Sequence, residues 1–327
     1  MSHIRICLIG NFAPNPDEGM RKFAVNMRDE LSKRAELMCA NPRNAMRMND
    51  IVAFRPDIIQ YIPGPSPVSL LILRLLKKKI PSAKTCSIIT HPYFFVSNPF
   101  FWIVMPPDII LTFSHSWKDY LSRFTRAPFI VPGAVDSIRF KPVAPSEKKS
   151  IRKELGLPED AFIALHVGHL RKARGLLKMT SLVPRKITPV IIVAKSTGRD
   201  FGIKEQLIKA GCIVIDEFVQ SIESYYQASD CYVFPTHSAL RGMDLPLSIL
   251  EAMACNLPVV SFDFGCISKL YGGTAGIKIV YSDEEFIGGI MEVKDRPPII
   301  ETRKAIENND WNNLAKIIYS IYEGAAP

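Results

Sequence analysis

The chain has 327 residues, 47% apolar and 22% charged, which suits two folded domains and excludes a disordered or collagen-like chain. Its net charge of +9 gathers at Arg74 with residues 77–79, at residues 148–153 and at residues 171–174; polyphosphate ligands or an anionic membrane surface suit such clusters. No helix-turn-helix or RNA-binding aromatic motif accompanies them, so nucleic acid is not an expected partner.

Residues 4–10 form a short, nearly continuous apolar run, as in a strand buried on both faces of a parallel sheet. A loop rich in Pro and Asn follows. Then Met20, Phe23, Ala24, Met27 and Leu31 recur at helical spacing, which opens a βαβ unit. The loop does not match G-x-G-x-x-G, so a dinucleotide fingerprint is absent. Further strands are predicted at residues 57–62, 85–90, 108–113 and 129–131, alternating with helices at 67–79 and 116–124.

Residues 132–145 are rich in Pro and read as a linker. The pattern then restarts, with strands at 162–167, 190–194, 212–215, 231–234 and 258–262 and a helix at 247–254. In the tail, Trp311, Leu314, Ile317, Ile318, Ile321 and Tyr322 share a helical face, and Gly324 marks its stop. Two α/β domains are expected, at 1–135 and 136–304, with a helix over about 305–327 packing back near the first.

Two features argue about compartment. Residues 1–10 lack a signal-peptide layout, and the seven cysteines include no C-x-x-C pair, so buried reduced thiols in a cytoplasmic protein are expected. Residues 85–107 carry no Asp, Glu, Lys or Arg, but Pro92, Pro99, Pro106 and Pro107 would break a spanning helix. A strand, a loop and a short aromatic helix near residues 100–104 are predicted there instead. Core packing is the plain outcome, and a dip into lipid at the inner membrane face is the alternative.

At residues 131–142 the chain reads V-P-G-A-V-D-S-I-R-F-K-P, which resembles the inter-domain linker of retaining family 4 glycosyltransferases of the GT-B fold. Four further blocks resemble that family in order. They are I-I-T-H (88–91), G-H-L-R-K-A-R-G (168–175), S-Y-Y-Q-A-S-D-C-Y-V-F-P (224–235) and M-D-L-P-L-S-I-L-E-A-M-A-C-N-L-P-V-V (243–260). The resemblance implies two Rossmann-like, doubly wound parallel-sheet domains facing each other across a cleft, with closure about the linker. It implies transfer of a sugar from a nucleotide-sugar donor to a hydroxyl acceptor, with retention, without a cofactor or metal and without an enzyme nucleophile.

The physical chemistry of such a donor fits those blocks. A diphosphate wants cations and the backbone N–H groups of a helix start. Arg174 stands at the family's lysine position, with Arg171 and Lys172 beside it, and the amides of Leu247 and Ser248 would open the donor helix. Glu251 would accept from the ribose hydroxyls, and Val219 stands where the family's main chain meets the base. His91 is the implied catalytic-site histidine, a hydrogen-bonding group for the donor sugar or its departing diphosphate. Gly19 would let backbone approach the ligand. His166 and His169 form an H-x-x-H spacing without a third ligand, and no Asp-x-Asp pair exists, so no metal site is expected.

Three departures bear on this expectation. Met243 replaces the first glutamate of E-x7-E, with Asp244 as a neighbouring substitute; His169 replaces an arginine, with Arg171 or Lys172 to supply charge; and the first domain is compact. Met243 and His169 motivate a non-catalytic sugar-nucleotide-binding or scaffold subunit as an alternative. A sugar-nucleotide epimerase of the same fold is another. The basic stretch at 74–79 and the aromatic segment 93–105 suggest a lipid-linked or membrane-surface acceptor.

Overall fold

The computed structural model describes residues 4–14, 16–43, 45, 48–62, 64–91, 98–194, 200–237 and 242–325. The chain forms two compact units: Met1–Gly133 with Gly242–Leu245 and Trp311–Pro327, and Ala134–Arg241 with Pro246–Asp310. The division thus falls two residues before the sequence-based boundary at 135. Residues 242–245, expected within the second domain, go with the first; the backbone hydrogen bond that holds them there is described below.

The first unit runs β1 (Arg5–Ile9), α1 (Gly19–Leu31), β2 (Glu36–Ala40), α2 (Asn49–Phe54), β3 (Ile58–Tyr61), α3 (Pro67–Lys79), β4 (Lys84–Ile89), α4 (Pro99–Val104), β5 (Ile109–Thr112), α5 (His115–Leu121) and β6 (Phe129–Ile130). Its sheet has the order β2-β1-β3-β4-β5-β6, every pairing parallel. Ile6, Cys7, Leu8 and Ile9 are fully buried, as a central strand covered on both faces requires.

Helix α3 shows how local sequence builds this unit. Pro67 follows an N-cap, Ser66, whose hydroxyl accepts from the Ser69 amide at 3.0 Å while the Ser69 hydroxyl accepts from the Ser66 amide at 2.7 Å. Ile72, Leu73 and Leu76 pack on Cys7, Ile59 and Tyr61, each burial contributing about 2 kcal/mol. Lys77, Lys78 and Lys79 close the helix where its dipole favours cations.

The second unit runs α6 (Pro145–Glu154), β7 (Phe162–Gly168), β8 (Ile187–Val193), α7 (Phe201–Lys209), β9 (Ile213–Ile215), α8 (Ile222–Ala228), β10 (Cys231–Phe234), α9 (Leu247–Ala254), β11 (Val259–Phe262), α10 (Ile267–Tyr271), β12 (Ile277–Val280) and α11 (Asp283–Asp295). The parallel sheet order β9-β8-β7-β10-β11-β12 is that of a doubly wound dinucleotide-type domain, 3-2-1-4-5-6. Its direction of winding reverses between β7 and β10. Ligands of such sheets bind outside the carboxyl ends of the strands at that reversal.

The last helix, α12 (Trp311–Glu323), returns to the first unit. Its Trp311 ring meets Phe23 edge-on at 5.6 Å, and its Tyr322 hydroxyl lies 3.7 Å from the Cys86 sulfur. One basic cluster proves structural. Arg152 is buried, pairs with Asp230 at 2.7 Å and donates to the carbonyls of Ala228, Glu159 and Ala161, while Lys148 also pairs with Asp230. That part of the 148–153 charge locks α6 onto the end of α8 and the segments that lead into β7 and β10, and is not available to a ligand.

The apolar run at 85–107 divides into β4 and α4, and residues 93–97 of the aromatic segment lie outside the described residues. No helix among the described residues is long and apolar enough to cross a membrane.

Candidate functional site

In the first unit, three separated stretches meet at the carboxyl end of the sheet. His91 follows β4, half-buried, with its Nδ1 3.3 Å from the Thr90 hydroxyl. Thr90 is fixed twice on Gly64, through its amide at 3.2 Å and its hydroxyl at 3.0 Å, both to the same carbonyl. The Thr90 carbonyl in turn accepts from the Asp244 amide at 2.7 Å. Asp244 is 3% exposed, so the residue expected beside the donor in the second domain is a buried member of the first unit.

Gly19 opens α1 next to that segment. A Cβ placed on it would come within 2.8 Å of the Met243 sulfur, so the missing side chain makes room for the methionine. The N-cap of α1 is Glu18, whose carboxylate accepts from the amides of Met20 at 3.1 Å and Arg21 at 3.2 Å. The first turn of α1 is therefore already occupied by a carboxylate. Gly19, Met243, Asp244 and His91 form one contiguous group in the fold, although they lie far apart in sequence.

In the second unit, the loop after β7 carries His169, Arg171, Lys172 and Arg174, the two middle ones exposed and the outer two half-buried. Its shape depends on Gly175, whose φ is +70° and whose Cβ would lie 2.3 Å from the Pro235 carbonyl oxygen. The Thr236 hydroxyl donates to the Arg174 carbonyl at 3.2 Å. The loop is thus tied to the end of β10, on the far side of the point where the winding reverses. This is where an α/β sheet of this order binds a ligand.

Helix α9 starts at Leu247 after an N-cap residue, Pro246, whose own side chain makes no capping hydrogen bond. Leu247 is buried and Ser248 half-buried. One turn on, Glu251 is only 5% exposed, and its Oε2 accepts from the Tyr226 hydroxyl at 2.8 Å. Tyr232 stacks on Tyr226 at 5.7 Å, is hydrogen-bonded to the Ser248 side chain and donates to the Val167 carbonyl at 3.5 Å. Burial first, then the Glu251 charge, pushes the Tyr226 phenol well above its ordinary range, which keeps it a donor.

His166, near the end of β7, lies between Tyr232 and Phe234 and is 1% exposed. Its Nδ1 donates to the Val233 carbonyl at 3.0 Å, and burial, with Arg174 and His169 nearby, lowers its pKa to about 4. It is a neutral member of the strand framework. Val219 is half-buried in the turn between β9 and α8.

Sequence reasoning missed Tyr226, Tyr232 and Thr236. Their hydroxyls hold Glu251, Ser248 and the basic loop, yet Tyr232 sits inside an apolar run and reads as core, and nothing in the mixed stretches around Tyr226 and Thr236 sets them apart. The signal that could have found them is the need to satisfy buried phenols and a buried carboxylate.

The sequence profile described as glycosyl transferases group 1 matches residues 161–294. The lipopolysaccharide core biosynthesis mannosyltransferase LpsB of Rhizobium meliloti is 32% identical over 157 residues, 44% of this chain and 43% of that protein. A D-inositol 3-phosphate glycosyltransferase of Geodermatophilus obscurus is 25% identical over 230 residues, 64% of this chain and 50% of that one. The chain spans about half the length, or less, of these curated relatives. Among solved structures, sucrose-phosphate synthase of Thermosynechococcus elongatus superposes with a TM-score of 0.82 at 14% identity, covering 98% of this chain and 99% of that one. The chain therefore has the GT-B fold of two Rossmann-like domains, and its residues 161–294 are similar to the group 1 glycosyl transferases.

Proposed function

We propose that the chain transfers a sugar from a nucleotide-sugar donor to a hydroxyl acceptor, with retention of configuration and without a metal ion. The observation that carries this reading is the group of Arg174, the first turn of α9 after Pro246 and the buried Glu251 around the reversal of the second sheet. Cations and helix-start amides suit a diphosphate, and a held carboxylate suits a ribose diol. Arg171, Lys172 and Arg174 supply the charge that a metal would otherwise bring to the leaving diphosphate. His169, Leu247 and Ser248 complete the donor group, and the main chain at Val219 meets the base.

The first unit takes the acceptor, and His91 is the catalytic histidine that hydrogen-bonds the donor sugar. Rate enhancement comes from positioning and from stabilising the diphosphate, not from an enzyme nucleophile. The acceptor is lipid-linked, in keeping with the relative whose name places it in lipopolysaccharide core synthesis, and the protein works at the inner face of a membrane.

Met243 favours a second reading. A buried thioether against Gly19, where a carboxylate stands in the family, suits a subunit that binds nucleotide-sugar without transferring it.

Calorimetry with a panel of UDP-, GDP- and ADP-sugars tests the donor assignment. Binding by the wild type that Glu251→Ala abolishes supports it; equal affinity in both proteins overturns the role of Glu251. Binding without hydrolysis or transfer over a panel of lipid-linked acceptors favours the second reading.

A further inference from the structure

Helices α3 and α4 stand side by side in the first unit. Leu70 of α3 and Trp102 of α4 share one buried cluster, and the Arg74 guanidinium donates to the Val104 carbonyl at 3.0 Å. With their inner faces so engaged, the two helices turn a second set of apolar side chains to solvent. Val68 is 58% exposed, Leu71 46%, Phe100 58% and Ile103 59%, with Leu75 and Val104 beside them.

This is not ordinary scatter. Of the large apolar side chains exposed among the described residues, six lie on these two short helices, and the other seven are strewn from Phe129 to Ile299. Grouped exposure of this kind marks a binding surface, whereas single exposed apolar residues need no explanation. On α3 the positions 68, 71, 75, 78 and 79 fall within one arc of the helix, so the apolar stripe leads directly into Lys78 and Lys79. Both lysines are exposed. Lys77 is partly spent on Asp108, at 3.3 Å, and on the Ala83 carbonyl. Neither helix contains an Asp or a Glu.

We propose that this face of α3 and α4 docks on an anionic lipid bilayer, with Val68, Leu71, Leu75, Phe100, Ile103 and Val104 entering the interface and Lys78 and Lys79 on the headgroups. Charge points to lipid: an apolar face on two helices without carboxylates, bordered by cations, complements a negative surface with a hydrocarbon interior. A protein partner would need carboxylates and apolar side chains at fixed places, which nothing on this face specifies. The proposal deepens the lipid-linked acceptor reading, because it places the acceptor-side unit at the lipid surface.

Flotation of the full chain with vesicles tests it, using phosphatidylglycerol mixed with phosphatidylcholine and, separately, phosphatidylcholine alone. Wild type floats with the anionic vesicles, and raised salt weakens the association. Each cation near the surface is worth about fivefold in partitioning, so Lys78→Glu with Lys79→Glu lowers binding by at least about twentyfold. Phe100→Ser with Ile103→Ser lowers it at least about tenfold at low salt as well. These side chains are exposed, so both variants stay folded, and the lysine variant melts a few degrees lower because the dipole of α3 favours cations at its end. Absence of wild-type flotation, or flotation that neither variant weakens, overturns the proposal. So does a dimer in light scattering that the Phe100 and Ile103 variant dissociates, with no vesicle binding, because a second copy then covers the face. Vesicle binding is read without nucleotide-sugar, so its failure and that of the donor assignment are separate results.

Discussion

The Tyr226 hydroxyl donates to Glu251 Oε2 at 2.8 Å, and both side chains are buried. A carboxylate on the first turns of a helix is ordinarily solvated and mobile. Here it is held by a phenol that stacks on Tyr232, which in turn reaches the Ser248 side chain and the end of β7. The sheet, the start of α9 and the carboxylate are thereby one connected polar network within an apolar setting. Such a network fixes direction, and a carboxylate of fixed direction can meet a diol with little further ordering.

Tyr226→Phe keeps the ring and removes the donor. It leaves a buried carboxylate short of one hydrogen bond, at a cost of about 1–3 kcal/mol in urea unfolding. Donor affinity falls about tenfold in calorimetry, because Glu251 must then be ordered by the ligand. A variant that loses stability while binding donor as tightly as wild type would show that Tyr226 serves the fold alone.

Gly175→Ala attacks the basic loop through its backbone. The residue has φ +70°, and the added Cβ would lie 2.3 Å from a carbonyl oxygen that cannot rotate away. The loop must leave the end of β10, which breaks the Thr236 hydrogen bond to the Arg174 carbonyl. A loss of about 2–4 kcal/mol is expected, with donor binding reduced beyond what Thr236→Val alone causes. Gly156 makes the control. It also has positive φ, but its Cβ would meet nothing within 4 Å, so Gly156→Ala carries only the backbone penalty.

His91 and Glu251 should separate kinetically. His91→Ala removes a group proposed to act on the sugar, so kcat falls about a hundredfold while calorimetric donor affinity holds. Glu251→Ala does the reverse, weakening donor binding about a hundredfold through the lost bonds to the ribose. If His91→Ala weakens donor binding as much as Glu251→Ala does, His91 is a binding residue and not a catalytic one.

Much of the fold was legible because central parallel strands write themselves as unbroken apolar runs. Residues 231–234 and 247–254 were placed to the residue, and the helix at 67–79 likewise. The edge strands β2 and β12 were not read. Their side chains are only partly buried, so β2 can open on an exposed Glu36 and Lys278 can interrupt β12 without breaking the strand. Helices α6 and α7 escaped because their polar faces dilute the apolar period. In the site, Glu251 and the basic loop stood out by motif. The return of residues 242–245 to the first unit did not, since one backbone hydrogen bond to Thr90 leaves no mark in the side-chain pattern.

The buried His166 gives the second unit an acid limit. In the unfolded chain its imidazole takes a proton near pH 6.5, whereas in the fold it stays neutral down to about 4. Between those values the unfolded state holds the extra proton, so acid favours unfolding, and stability falls as pH drops below about 6.5. From pH 7 to pH 5 this one group removes about 2 kcal/mol, and the loss levels off below its folded pKa. Replacing it by Asn removes the titration and the Val233 bond together. His166→Asn is therefore less stable at pH 7, by about 1–3 kcal/mol, yet its urea midpoint changes less between pH 7 and pH 5 than that of wild type. Parallel curves for the two proteins over that interval would mean that the acid sensitivity arises elsewhere.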